Sequence, residues 1–540
     1  PDHQVFSGKL LMPSLPARVI ILKDKFLSIF ARRDLFFYLI LSVFAFQVFL
    51  TMLQCRDLVD DAYISARYAR NLANGSGLVY NRGNGLEPVE GYSNFLWVIL
   101  LALGIKLGLS AKFISQFLGV VFSLASSVLL FLWVKRESEN RWLGLAAVSF
   151  LATNVYFAIW SVEGLEAPLF SMLLIAVVYA LSLESRLPAL ILSLLFALTR
   201  PDGILLFLVL AIAQFLRHSK EPLQRARTAL TWLWFIIPYL FYFLCRAIYY
   251  HSFFPNTFYA KTGLGLVGLR EGAIYLGKFF LANPSMIFLA MIILSGVLLT
   301  KQLSFSIKVP LVFAMCYFLF LFLVGGDWMP GSRMLVPLMP IFCGAGMVMF
   351  GARWLSGKNP KRDRGLLYLV CALIIFANLF QVIRYEAFAS FDKTWHRNQS
   401  RFYMNTADFL KKYVWQSQSI AVGDIGYIGY FGDHNRIIDT TGLVDRHLGR
   451  LPGISSMTTD LDYIFSQEPF AIVSLVHRYP EGTEIGHSEF DRQLAQDARL
   501  KMEYRLVEEI FGWDSVEISR TDWKKRNSRV YFKIYFKNYP

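Results

Sequence analysis

Two adjacent aspartates, Asp60 and Asp61, stand just past the first membrane-length apolar run, in the stretch Val59-Asp60-Asp61-Ala62-Tyr63-Ile64. Ionised carboxylates beside a bilayer are costly, so an acidic pair there signals function. Two like charges this close push one pKa upward, which suits one of them as a base or the pair as a cation holder. The competing reading is structural, with Asp60 capping a surface helix over 62–73. On such a helix Tyr63, Arg67 and Arg70 share one face at i, i+4 and i+7. Carboxylates beside guanidinium groups could hold a divalent cation (Mg2+, Mn2+ or Ca2+) or an anionic lipid head; alternatively the arginines only snorkel.

Further polar groups recur in short segments between apolar runs. Glu90, Tyr92 and Asn94 close the same loop, in Val89-Glu90-Gly91-Tyr92-Ser93-Asn94. Glu163 and Glu166 meet a membrane boundary; helix capping accounts for Glu166, whereas Glu163 lacks that explanation. Arg200 and Asp202 sit in Thr199-Arg200-Pro201-Asp202-Gly203, which reads as a tight polar turn. His251, Asn256 and Lys261 could meet phosphate or sugar, although a lone interfacial histidine is more often simply hydrogen-bonded. In Gly325-Gly326-Asp327-Trp328 with Arg333, the glycines permit close approach, Trp328 offers a stacking face and Arg333 a phosphate fork.

The elements that must position these groups are apolar helices. Only 17% of the 540 residues are charged and 55% are hydrophobic, against roughly a quarter charged in soluble domains. Mean hydropathy is +0.44. Runs long enough to cross about 30 Å of hydrocarbon recur from Leu35 to Val382. Candidate spans are 35–53, 95–110, 112–134, 142–160, 166–183, 187–200, 203–217, 231–250, 283–300, 308–325, 335–353 and 365–384. The run 95–110, short and carrying Lys106, is expected to be partial or re-entrant, leaving about eleven transmembrane helices. The net charge of +15 is concentrated in short loops, which reads as topology and headgroup contact rather than a nucleic-acid footprint.

Basic clusters at Lys23, Lys25, Arg32 and Arg33, at Arg217, Lys220, Arg225 and Arg227, and at Arg353, Lys358, Lys361, Arg362 and Arg364 mark the inner side. All the polar segments above and the tail then fall outside. Nothing before Leu35 resembles a cleavable leader, so the first span is expected to be an uncleaved anchor. The five cysteines form no CxxC pair, which argues against a thiolate zinc site or a disulfide framework.

Composition turns polar at Arg384. The chain therefore divides into a membrane domain over 1–384, with a first outer loop at 54–94, and a soluble α/β or α+β domain over 385–540. In the latter, Ser419-Ile420-Ala421-Val422 and 530–536 read as strands and 403–413 as helix.

Acid pairs, cationic forks and aromatic platforms at one face of a helical bundle suit sugar transfer from a lipid phosphate. With no Walker or Rossmann glycine motif, neither a nucleotide-sugar nor ATP is expected as a cofactor. The segments 60–64, Tyr68-Ala69-Arg70-Asn71-Leu72, Gly77-Leu78-Val79-Tyr80-Asn81, 89–94 and Leu96-Trp97 together resemble the GT-C glycosyltransferases. The likeness is nearest to the mycobacterial terminal β-(1→2)-arabinofuranosyltransferase branch and its bacterial relatives, including type IV pilin arabinosyltransferases. Later blocks at 164–170, 199–203, 255–261, 326–329 with Arg333, and Asp424-Ile425-Gly426-Tyr427-Ile428-Gly429-Tyr430-Phe431 are similar to the same group.

The resemblance implies an all-α polytopic GT-C membrane domain whose first outer loop carries the catalytic acid. It implies a polyprenyl-phosphate sugar donor, such as decaprenylphosphoryl-arabinofuranose, and a glycan, lipid or protein acceptor on the outer face of a bacterial plasma membrane. Asp60 or Asp61 would be the base, and the other would orient the acceptor or bind a cation. Two other readings use similar groups. A flippase of lipid-linked sugars would place charges near mid-membrane on broken helices, and an O-antigen-type ligase would lead with arginine and histidine.

Overall fold

The computed structural model describes residues 35–538 apart from 84–85, 219, 262–264, 300–301, 328, 330, 356–358, 416, 433–435, 454–456 and 519–524. Trp328 and the cluster from Lys23 to Arg33 lie outside the described residues. Apolar runs fold as helices because hydrocarbon offers no partner to a backbone amide or carbonyl, so each segment must satisfy its own. Among the described residues six helices are long and apolar enough to cross a membrane: Leu35–Leu53, Ala111–Ser138, Pro222–Tyr250, Phe305–Val324, Arg333–Trp354 and Pro360–Gln381.

Several expected spans are shorter. Phe95–Lys106 and Arg141–Ala152 have 12 residues each, about 18 Å at 1.5 Å per residue. Ala167–Ser182 and Arg186–Thr199 are also short apolar helices. One element had no counterpart in the sequence reading: Gly265–Ala282 is helical and meets Pro284–Leu299 at a 99° bend. Arg270, Glu271 and Lys278 break its hydropathy. Asn283 is buried at the elbow, where Asn154 and Gln381 donate to its side-chain oxygen at 3.2 and 2.7 Å.

The last helix, Pro360–Tyr413, runs unbroken through the compositional boundary at residue 384. Beyond it lie six strands: β1 (Ser419–Val422), β2 (Arg436–Asp439), β3 (Ala471–Arg478), β4 (Glu484–Gly486), β5 (Tyr504–Ile518) and β6 (Lys525–Lys537). Their order is β2-β1-β3-β6-β5, with β4 also on β3. β1 pairs in parallel with β2 and β3, whereas β6 is antiparallel to both its neighbours. This is the mixed domain expected of the tail.

Strand alternation divides its faces. Ile420, Val422 and Val473 join the large core shared with the membrane helices, while Ala421 and Ile472 face a smaller core containing Ile464, Phe490 and Leu494. One face of the sheet is thus seated on the rest of the molecule.

Candidate active site

The doublet opens the helix Asp60–Ala73, where acidic side chains favour the positive end of the helix dipole. Ala62, Ala66 and Ala69 are buried and let this helix pack closely against Phe95–Lys106. Asp60 does not cap its own helix, whose N-cap is Val59 with no side-chain cap. Its carboxylate accepts from the backbone amides of Gly426 (3.0 Å) and Tyr427 (2.8 Å), at the N-terminus of the tail helix Ile425–Phe431.

Two glycines make that approach feasible. A Cβ on Gly426 would overlap Asp60, and one on Gly429 would overlap the Tyr80 hydroxyl. Burial, followed by the negative charge of Asp424, pushes the Asp60 carboxyl well above the ordinary aspartate range. Burial raises Asp424 as well.

Tyr63, Arg67 and Arg70 do share a face, and that tail helix covers it. Tyr63 packs on Tyr427 with ring centroids 4.4 Å apart, and Arg70 lies 4.2 Å over the Tyr430 ring. Arg67 donates to the Tyr80 carbonyl at 2.9 Å and to the Gly429 carbonyl. Read from the sequence as a partner for a cation or lipid head, Arg67 instead braces the loop and the tail domain.

The second group gathers distant segments. Arg200 donates to Glu166 (2.6 Å) and Asp202 (3.0 Å), Tyr317 to Asp202 (2.8 Å) and Asn94 to Glu166 (2.9 Å). The turn Thr199–Gly203 therefore supplies two members of this charged group. Arg333 pairs with Asp327 at 2.9 Å, off the hydrogen-bonding direction, and lies 5.9 Å from the Trp160 ring. Glu166, Arg200, Tyr317 and Arg333 converge on one tight interior gap that has no room for a water molecule. Burial opposes ionisation of Glu166, but Arg200, Arg333 and the Asn94 amide hold its carboxyl below the ordinary glutamate range. Asp61, half-buried like Asp60, bears a charge that acts on the Arg333 guanidinium.

A third group surrounds Glu90, which accepts from Arg246 at 2.7 Å. Burial raises the Glu90 carboxyl to about 7, against the pull of Arg246. Tyr92 is buried beside it, its hydroxyl 3.2 Å from that of Tyr250. Asn256 donates to the carbonyls of Gly442 (2.7 Å) and Asp445 (2.8 Å), holding the tail domain against the loop. Glu163 is buried, and its backbone carbonyl accepts from the Val59 amide. His251 is exposed at the end of the Pro222–Tyr250 helix, in left-handed backbone, apart from these groups. Lys261 ends the short helix Asn256–Lys261, and its side chain lies outside the described residues.

The sequence reading missed Tyr317 and Arg246. Tyr317 carries no signal within its apolar run. Arg246 does, because a charge inside a span needs a partner.

The donor set at the doublet does not suit a divalent cation. Both Asp60 oxygens are engaged by backbone amides. Among the described residues no group of three or more His, Cys, Asp or Glu side chains could hold a metal ion.

A bundle of apolar helices, a first loop opened by a carboxylate doublet and a C-terminal sheet domain make up a GT-C type of fold. The chain is similar to ArnT from Cupriavidus metallidurans, whose crystal structure holds undecaprenyl phosphate. The TM-score is 0.50 at 12% identity, covering 92% of this chain and 97% of that one. Residues 390–532 match a family described as a domain of unknown function (DUF8728). No curated protein matches the chain.

Proposed function

We propose that this protein is an inverting glycosyltransferase that moves a sugar, arabinofuranose by the resemblance of its motifs, from a polyprenyl phosphate to a hydroxyl acceptor. The reaction takes place on the outer face of a bacterial plasma membrane. The observation that carries this reading is the ion-paired group of Glu166, Arg200 and Asp202 gathered with Arg333, whose guanidinium feels the charge of Asp61. In this reading Asp61 supplies the base and Arg333 the anion-stabilising cation. The similar fold of a protein solved with undecaprenyl phosphate supports a lipid-phosphate donor.

In this reading Asp61 is the general base and takes the proton of the acceptor hydroxyl. The acceptor oxygen bonds to the anomeric carbon from the face opposite the phosphate, and the carbon–oxygen bond to the phosphate breaks. The electron pair leaves on the polyprenyl phosphate, where Arg333 stabilises the charge that develops. Glu166, Asp202 and Asp327 keep the two guanidinium groups in place. Asp60 is a positioning residue that fixes the doublet helix to the tail domain. A divalent cation has no part in this scheme.

The two aspartates separate in one experiment with purified protein and a panel of synthetic polyprenyl-phosphate sugars. Asp61→Asn is expected to lower transfer on the order of 10³-fold while thermal unfolding stays as in the parent. Asp60→Asn is expected to lower the unfolding temperature as well as the rate. Full activity of Asp61→Asn, or consumption of no lipid in the panel by the parent, ends the reading.

A further inference from the structure

Between the first outer loop and the tail domain lies a cleft of about 570 Å3 that none of the groups above uses. Tyr80, Asn81 and Glu87 form one wall; Arg436, Arg450 and Tyr463 belong to the other. We propose that this cleft is the acceptor subsite and takes a saccharide segment bearing an anionic group, a proposal that rests on the transferase reading above.

The first argument is position. The Tyr80 hydroxyl donates to the Ile425 carbonyl at 2.6 Å, one residue before the amides that hold Asp60. The Asn81 side chain donates to the Ile437 carbonyl (2.8 Å) and accepts from the Ile437 amide (3.0 Å), pairing the free edge of β2 as a neighbouring strand would. One cleft wall is therefore fixed to the helix Ile425–Phe431 that also holds the doublet.

The second argument is charge. Among the described residues the acids of the cleft are already engaged. Glu87 pairs with Arg446 at 2.6 Å, and Asp445 accepts from the His447 and Leu448 amides and the Tyr463 hydroxyl, each at 3.0 Å. Arg446 is further tied to the Tyr250 carbonyl at 2.8 Å. Arg436 and Arg450 differ. Each guanidinium donates one hydrogen bond to a neutral side chain, Gln467 at 2.6 Å and Ser252 at 3.2 Å respectively. Arg450 also lies 4.9 Å over the Tyr259 ring. A guanidinium carries five donors, so two forks with no carboxylate partner among the described residues remain to meet a ligand, and a carboxylate or phosphate matches them.

The third argument is shape. Tyr463 and His447 stack with centroids 4.2 Å apart and supply a flat aromatic wall, the surface that sugar rings prefer to plain apolar walls. The volume lies within the roughly 300–1,000 Å3 of clefts that enclose small ligands.

The test uses the full chain in detergent with three probes: trigalacturonate, maltotriose and inorganic phosphate. Saturable binding of trigalacturonate is expected, with no saturable binding of maltotriose and only weak competition by phosphate. The Arg436→Gln/Arg450→Gln protein is expected to bind trigalacturonate at least tenfold more weakly. Should that protein fail to fold, Arg436→Glu alone carries the test and is expected to abolish binding. Equal binding of maltotriose, full competition by millimolar phosphate, or an unchanged dissociation constant in the variants overturns the proposal. Consumption of the lipid donor by the parent, measured separately, tells which reading has failed. Loss of saccharide binding with donor still consumed removes only the cleft, whereas saccharide binding with no donor consumed removes the transferase.

Discussion

The polar residues around the doublet helix and those around Arg200 find opposite kinds of partner. Asp60, Arg67 and Asn256 bond to backbone amides and carbonyls, most of them in the tail domain. Glu166, Arg200 and Asp202 pair with one another, and Arg333 lies beside Asp327. A backbone partner is fixed in place by secondary structure, so a charge held that way serves as a joint. A side-chain partner can exchange for a substrate group of the same charge, so charges held that way remain available to chemistry. The difference separates the residues that seat two parts of the molecule from those that can act on a ligand.

Breaking the mutual pairing should have the largest effect. Arg200→Met strands Glu166 and Asp202 without their common cation, and losing one partner of a buried ion pair typically costs about 3–5 kcal/mol. Chemical denaturation of detergent-solubilised protein checks this; a change below about 1 kcal/mol would mean that water already screens the group.

Breaking the joint comes next. Gly429→Ala sets a methyl group against the Tyr80 hydroxyl and the Arg67 guanidinium, and overpacking of this kind costs roughly 1–3 kcal/mol. Hydrogen exchange is expected to rise in both 60–73 and 425–431 while the membrane helices stay protected. Exchange confined to the tail would show that the two segments do not hold each other.

The smallest effect sharpens the comparison by pH. The Glu166 carboxyl lies below its ordinary value of 4.5 in the folded protein. Its pairing therefore stabilises the fold fully above that value and fades as pH falls through the lower, folded one. The difference in unfolding temperature between the parent and Glu166→Gln is expected to stay constant from pH 8 to about 5 and to narrow in stronger acid. A difference that shrinks on going from pH 8 to 6 would contradict it.

Much of this arrangement could be read from residue order, and the rest fails for identifiable reasons. The doublet, the helical face of Tyr63, Arg67 and Arg70, and the strands at 419–422 and 530–536 are local patterns, set by periods of 3.6 and 2. What covers the face is not local. Gly426 meets Asp60 across 366 positions of chain, and no spacing rule spans such a distance. Tyr317 was invisible because an aromatic residue in an apolar run reads as core. Lys106 hinted that Phe95–Lys106 would not cross alone, but nothing announced that Arg141–Ala152 would be equally short. The helix at 265–282 was hidden by three charged residues that dilute its hydropathy without breaking it.

The two glycines of the tail helix carry a lesson for anyone who would graft this domain onto a relative. The seam they close is one surface written in two distant stretches, so exchanging residues 390–540 alone would bring a foreign ridge against the helix that bears the carboxylates. A working chimera must inherit 60–81 together with 425–431.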